Sequence, residues 1–177
     1  RAFREGPMAS LGHNHLIISD ALAGTIDLRD PASDTRFTFE LPLDSLIVDD
    51  PAARSTAGPD FVKEVPQADR DATRRNMLGP YVLDAARQPV LRLTADSLAG
   101  GPTQFQAQVR VGLRGEERII DVPLSAQIKD GKIGVHASFK LHHADLGLTP
   151  FSVALGALRV RDEIEIDCRI DAERARP

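Results

Sequence analysis

The sequence predicts an all-β fold, an eight-stranded antiparallel barrel with one short covering helix. Three observations predict it. The second half of the chain is a succession of long segments in which apolar and polar residues alternate, the mark of half-buried strands. These segments are joined by short turns, and 13 Gly and 12 Pro are spread along the chain. Convincing helix signals occur in one stretch, residues 67–78. Long strands joined by tight turns suit a closed barrel better than a sandwich of short strands. Eight strands leave an interior that side chains fill or that holds one small ligand. The 177 residues suit one domain, read as 1–171, with a polar tail at 172–177.

Residues 1–5 read as a short strand. Pro7 suits the first position of a single helical turn and Gly12 its C-terminal cap. From His13 to Leu28 the pattern is extended. Leu16 and Ile18 share one face, and His13, His15 and Ile17 the other. Asp20 and Gly24 interrupt the alternation, which marks a bulge or bend. Leu16 and Ile18 are taken as the core side, which turns the histidines outward unless that irregularity changes the register. Residues 30–34 form a turn. Phe37, Phe39 and Leu41 then alternate with Thr38 and Glu40 in a half-buried strand, and residues 46–48 form a short apolar one. Residues 49–66 read as a long irregular connection. In the helix at 67–78, Asp69 and Asp71 precede Arg74 and Arg75, in accord with the helix dipole. Gly79-Pro80 stops it. Its apolar stripe is thin (Ala68, Ala72, Met77, Leu78), so it covers a surface.

The strand at 89–95 carries Leu91 and Leu93, and residues 99–102 turn. Phe105, Ala107, Val109, Val111 and Leu113 alternate with polar residues, and so do Ile120 through Ile128. Asp130-Gly131 is a tight hairpin signal. Val135, Ala137, Phe139 and Leu141 alternate with His136, Ser138, Lys140 and His142. A loop with a short turn follows, with Ser152 as its cap and Gly156 as its end. The last strand, about 159–171, places Ile164, Ile166, Cys168 and Ile170 on one face.

Bulk properties exclude several function classes. The net charge is −4 and no Lys/Arg-rich run occurs, against nucleic-acid binding. No apolar run reaches the ~18 residues of a membrane-spanning helix. Ser10, Ser19 and Ser152 lack the Gly-x-Ser-x-Gly context of a hydrolase. No glycine-rich phosphate loop is present. The single cysteine, Cys168, lies on an apolar strand face and reads as a small hydrophobe. An enzyme is not expected.

His13 and His15 are the sharpest local feature. Two apart on a strand, they point to one face with Cβ atoms about 7 Å apart. Three readings stand. They form a polar lip or head-group contact of an internal cavity, together with Asn14 and with Arg92 as a further donor. They bind a metal, for which a third ligand must come from elsewhere: His142, His136, His143 or an acid. Or they are strand-end histidines paired with backbone or carboxylates. The inward positions of the strands form the other set: Phe37 and Phe39, Leu91 and Leu93, Phe105 with Val109 and Val111, Val135 and Phe139, and Ile164 and Ile166. Aromatics are only 5% and Trp is absent, which points either to an underfilled interior or to a flattened, well-packed barrel, the latter suiting a structural or interaction module.

Several segments, taken in order, resemble the YceI-like proteins, a family of lipocalin-like bacterial barrels that bind polyisoprenoid lipids. They are Gly12-His13-Asn14-His15-Leu16 with Gly24, Leu43 to Asp49, Asn76-Met77-Leu78 and Pro89 to Leu93. Further on come Val111 to Gly115 with Val122-Pro123, Phe139 to His142 with Asp145 to Leu148, and Arg161 to Ile166. No one segment is specific; the ordered set, which covers almost the whole chain, is. The resemblance implies a barrel with an apolar tunnel for an isoprenoid tail, as in polyprenyl or quinone-type lipids. It also implies export to the periplasm or secretion, with a leader removed ahead of Arg1. No cofactor is implied beyond the lipid; a homodimer is left open. Many members read Val-Lys-His-Leu where this chain has His13-Asn14-His15-Leu16. The extra His13 resembles a subgroup feature, which leaves room for a different ligand.

Overall fold

Alternating side chains make each strand apolar on one face, and a sheet with one apolar face must curl over it or pack against something. Here the sheet curls. The computed structural model describes residues 1–174. The strands are β1 (Ala2–Glu5), β2 (Ile17–Ile18), β3 (Ala23–Asp27), β4 (Arg36–Pro42), β5 (Ile47–Val48), β6 (Val90–Ala95), β7 (Leu98–Gly100), β8 (Gln104–Leu113), β9 (Glu116–Lys129), β10 (Lys132–His142), β11 (Ser152–Val153) and β12 (Leu158–Glu173). The helices are α1 (Pro51–Thr56) and α2 (Gln67–Leu78).

Ten strands form one antiparallel sheet whose main path runs β1-β12-β10-β9-β8-β6-β4-β3, with β7 on β8 and β11 on β12. The main path has the eight strands expected, but its ends, β1 and β3, do not pair with each other. The expected closed barrel is therefore corrected to a curled, open half-barrel. The segment 13–22 bridges the opening. His15 exchanges backbone hydrogen bonds with Ala2 of β1, at 2.8 and 2.9 Å, β2 pairs with β5 in a separate two-stranded sheet, and the chain then enters β3.

The turns follow their chemistry. Arg114-Gly115 and Asp130-Gly131 take positive φ at both central residues, the backbone of two-residue hairpins. At Gly24 a Cβ would lie 2.0 Å from the Thr38 carbonyl oxygen, so only glycine lets β3 approach β4 there.

Differences from expectation cluster in the short elements. Residues 49–66 hold helix α1 and a 3₁₀ turn at Pro59–Phe61. The signal was local: Asp50 caps α1 by accepting from the Ala53 N–H at 2.9 Å, and Pro51 sits at the first helical position. Strand β7 occupies part of the stretch read as a turn at 99–102. Ser152 lies in β11 and caps nothing; the turn after it starts from Val153. The last strand runs on to Glu173, so the tail read as 172–177 begins inside it; residues 175–177 lie outside the described residues.

The main core lies within the curl and includes Leu43, Ala95, Ala107, Val109, Val111 and Leu124. Leu16, Val48, Phe61 and Val65 are buried outside that cluster, beside α1 and the 3₁₀ turn after it. Among the described residues, no helix is long and apolar enough to cross a membrane.

Candidate functional site

The inward faces of the sheet do not meet. They enclose a cavity of about 1120 Å³ lined almost wholly by aliphatic and aromatic side chains. The alternation that makes each strand half-buried builds this wall. Phe37 and Phe39 of β4 reach it, as do Leu91 and Leu93 of β6 and Phe105, Val109 and Val111 of β8. Val135 and Phe139 of β10 and Ile164 and Ile166 of β12 complete the inward positions expected from the sequence. Helix α2 roofs one end with Thr73, Asn76 and Met77. It is pinned there by Arg74, which donates to the carbonyls of Asp44 at 2.6 Å and Leu46 at 3.2 Å.

Polar groups gather at the two ends. At the hairpin end they include Arg29, Thr103 and Gln127; at the end under α2 they include Arg1, His15 and His143, beside Thr73 and Asn76 of the helix. Cys168 also lines the wall, and burial, then the neighbouring Asp167 charge, pushes its thiol above the ordinary value. Ile120 and Val122 of β9 and Leu146 beyond β10 belong to the wall too. Ile120 and Val122 were legible as alternating positions but not separable from plain core; Leu146, in the turn after β10, carried no periodic signal.

The polar residues expected at the lip divide. His15 lines the cavity. His13 and Asn14 do not. Asn14 is a clamp: its Oδ1 accepts from the Arg4 N–H and its Nδ2 donates to the Asp60 carbonyl, each at 3.1 Å. Arg92 faces solvent and pairs with Glu40 at 2.8 Å. His142 is exposed beside Asp145, and His136 is exposed and pairs with Asp167 at 3.0 Å. The histidine pair is not turned outward. The imidazoles of His13 and His15 are only 16% and 19% exposed. They stand edge to face with centroids 4.6 Å apart.

What holds them is Asp49, the last residue of the Leu43 to Asp49 segment and not among the expected site residues. Its side chain is fully buried. Its backbone sits at φ 53°, a region Asp tolerates better than most residues. Its Oδ1 accepts from the Leu16 N–H at 2.8 Å and from Arg54 Nη1 at 2.6 Å. Its Oδ2 accepts from His15 Nδ1 at 2.8 Å and lies 3.7 Å from His13 Nε2. Arg54, itself buried, also donates to the carbonyls of Asn14 at 2.7 Å and Lys63 at 3.0 Å, and lies over the Phe61 ring. Burial pushes the Asp49 carboxyl up. The hydrogen bonds from His15 and Leu16 and the charges of His15 and Arg54 outweigh it, so the group titrates below the ordinary carboxylate value. His13 titrates below the ordinary imidazole value: burial dominates, His15, Arg54 and Lys63 add to it, and Asp49 opposes. Among the described residues, these three are brought together as possible metal donors, with Asp49 and not His142 as the third.

Comparison with known proteins adds the following. The family model of the YceI-like domain matches residues 11–172. No curated protein matches the sequence significantly. Among solved structures, BcnA of Burkholderia cenocepacia superposes with a TM-score of 0.62 at 11% identity, over 85% of this chain and 83% of that one. The YceI protein of Campylobacter jejuni gives 0.62 at 13% identity, over 91% and 85%. A polyisoprenoid-binding domain from Saccharophagus degradans gives 0.59 at 18% identity, over 92% and 86%. At such identities the likeness is one of fold.

Proposed function

The chain belongs to the family of YceI-like domains, and from that premise we propose that it is a non-enzymatic binding protein for a long apolar lipid of isoprenoid type. The polyprenyl or quinone-like tail occupies the cavity, and the protein carries or stores that lipid in the periplasm or outside the cell. The observation that carries this reading is the cavity: about 1120 Å³ of unfilled space with an aliphatic wall. That is just above the ~300–1,000 Å³ usual for small-molecule sites. An elongated tail needs little directional contact, because burial contributes roughly 25 cal/mol per Å² of apolar surface. A polar head needs a few polar partners at an open end. Arg1 supplies a donor there, and His15 and His143, whose Nδ1–H groups are engaged by Asp49 and by the Asp162 carbonyl, present Nε2 as acceptors. The structural neighbour described as polyisoprenoid-binding supports the same class of ligand.

The test is direct. Native mass spectrometry and solvent extraction of the purified protein should recover one lipid per chain. Stripped protein should take up a polyprenyl or quinone-type lipid from detergent at one equivalent. Protein that arrives empty and takes up neither lipid would overturn the reading.

A further inference from the structure

A buried carboxylate that only ties strands together needs partners for its oxygens and nothing more. Asp49 has them: Leu16 and Arg54 on Oδ1, and His15 on Oδ2. His13 is then superfluous to the clamp. Its Nε2 is nevertheless buried among these groups with no hydrogen-bond partner. Leaving a buried polar atom unpaired is unfavourable, because nothing replaces the water it gave up. The donor atoms of His13, His15 and Asp49 lie within 4.8 Å of one another. Tetrahedral donors at ~2.0–2.2 Å from one ion stand about 3.3–3.6 Å apart. Asp49 Oδ2 lies 2.8 Å from His15 Nδ1 and 3.7 Å from His13 Nε2, so a rotation of the rings that opens the first distance and closes the second brings the donors onto a common centre.

We propose that His13 Nε2, His15 Nδ1 and Asp49 Oδ2 form a site for one divalent transition ion of the zinc class. The groups that orient the carboxylate are already in place. Arg54 and the Leu16 N–H hold Oδ1 from behind, fix the carboxylate plane and leave Oδ2 facing the imidazoles. Ligation by His15 replaces its hydrogen bond to Asp49, and the ring proton then resides on Nε2. The charge balance selects the ion. Arg54 cancels the charge of Asp49, so two neutral imidazoles and a compensated carboxylate face the metal. Calcium and magnesium need several uncompensated oxygen donors; nitrogen donors suit zinc, copper and nickel. His15 also belongs to the cavity wall, which places the ion at the edge of the cavity. The site rests on its own donors and not on the lipid reading.

Untagged, chelator-stripped protein titrated with Zn²⁺ by calorimetry, with the ion counted by native mass spectrometry, should bind one ion per chain. His13→Ala should weaken binding at least ~10-fold, since even an outer-shell partner is worth that much. His13→Ala also loses the edge-to-face contact with His15, so its melting temperature in chelator serves as its own baseline; above the respective baselines, Zn²⁺ should raise the melting temperature of the wild type and not that of the variant. A His136→Ala, His142→Ala double variant, altered only at exposed rings, should bind as the wild type does. Calcium should not bind at the site. Absence of a bound ion, equal zinc affinity in His13→Ala, loss in the surface-histidine control or calcium binding abolished by His13→Ala would overturn the proposal.

Discussion

Replacing Asp49 by Ala should be among the most destabilising single changes in this chain. The carboxylate is fully buried and Arg54 is 5% exposed, so solvent screens neither charge. Removing one partner of a buried ion pair costs about 3–5 kcal/mol, because the other charge stays behind uncompensated. The Leu16 N–H loses its acceptor as well, which adds to the loss. For a chain of this size 1 kcal/mol corresponds to about 2–4 °C in melting temperature, so the drop should be ~6–20 °C. Urea unfolding and thermal melts, both in chelator so that no metal contributes, measure it. The same argument fixes the sign of a double variant. Arg54→Met added to Asp49→Ala removes the stranded charge and packs an apolar chain beside Phe61. The pair should therefore be less destabilised than the two single losses summed, by about 1 kcal/mol or more. A loss below ~1 kcal/mol for Asp49→Ala, or strict additivity, would refute the clamp.

Three further outcomes are expected. Ala126→Trp places an indole in the cavity from the middle of the β9–β10 pairing. It should weaken lipid uptake at least ~10-fold without lowering the melting temperature, because an aromatic ring occupies ~150–250 Å² of surface that the tail would otherwise cover; as the only Trp in the chain, it should also report binding by fluorescence. The folded-state pKa of Asp49 lies below its unfolded value, so its contribution is complete above the ordinary carboxylate value of ~3.9 and is lost as the pH falls through the folded pKa; the stability difference between wild type and Asp49→Asn should be flat near neutrality and shrink below about pH 4. Burial raises the Cys168 thiol, so a thiol reagent such as DTNB should react slowly near neutral pH, and lipid loading should slow it further; fast labelling of the loaded protein would place the tail elsewhere.

The long strands were legible because their signal is periodic and repeated. Phe105 to Leu113, Ile120 to Ile128 and Ile164 to Ile170 each show the face that reaches the cavity. The expected lining residues therefore stand where alternation put them, while His13, Asn14 and Arg92 do not. Closure of the barrel was not legible, because pairing between β1 and β3 depends on where two short edges end and not on any local pattern. Nor was the orientation of the histidine pair. Leu16 is buried as expected, yet His15 lines the cavity on its opposite side. Between β1 and β5 the strand has no free face, because α1 and the turn at Phe61 cover one side and the cavity lies on the other. Asp49 carried a weak signal: an acidic residue directly after an apolar strand and before Asp50-Pro51 reads as a loop residue, and only tertiary packing buries it.

The size of the cavity bears on whether the protein ever stands empty. The empty space opens to solvent at its ends, so without a guest it holds water. Its mid-section is aliphatic and offers few of the two to four polar partners that an ordered water needs. A guest or an inward movement of the walls should therefore replace that water, and the two are distinguishable. Stripping the lipid should lower the melting temperature and speed amide exchange in β4, β6 and β8 around Phe39, Leu93 and Val111. Adding it back should reverse both, by an amount that grows with lipid concentration as binding to the folded state alone requires. Unchanged stability after complete stripping would mean that the cavity walls pack without a guest, and the lipid reading would lose its physical basis.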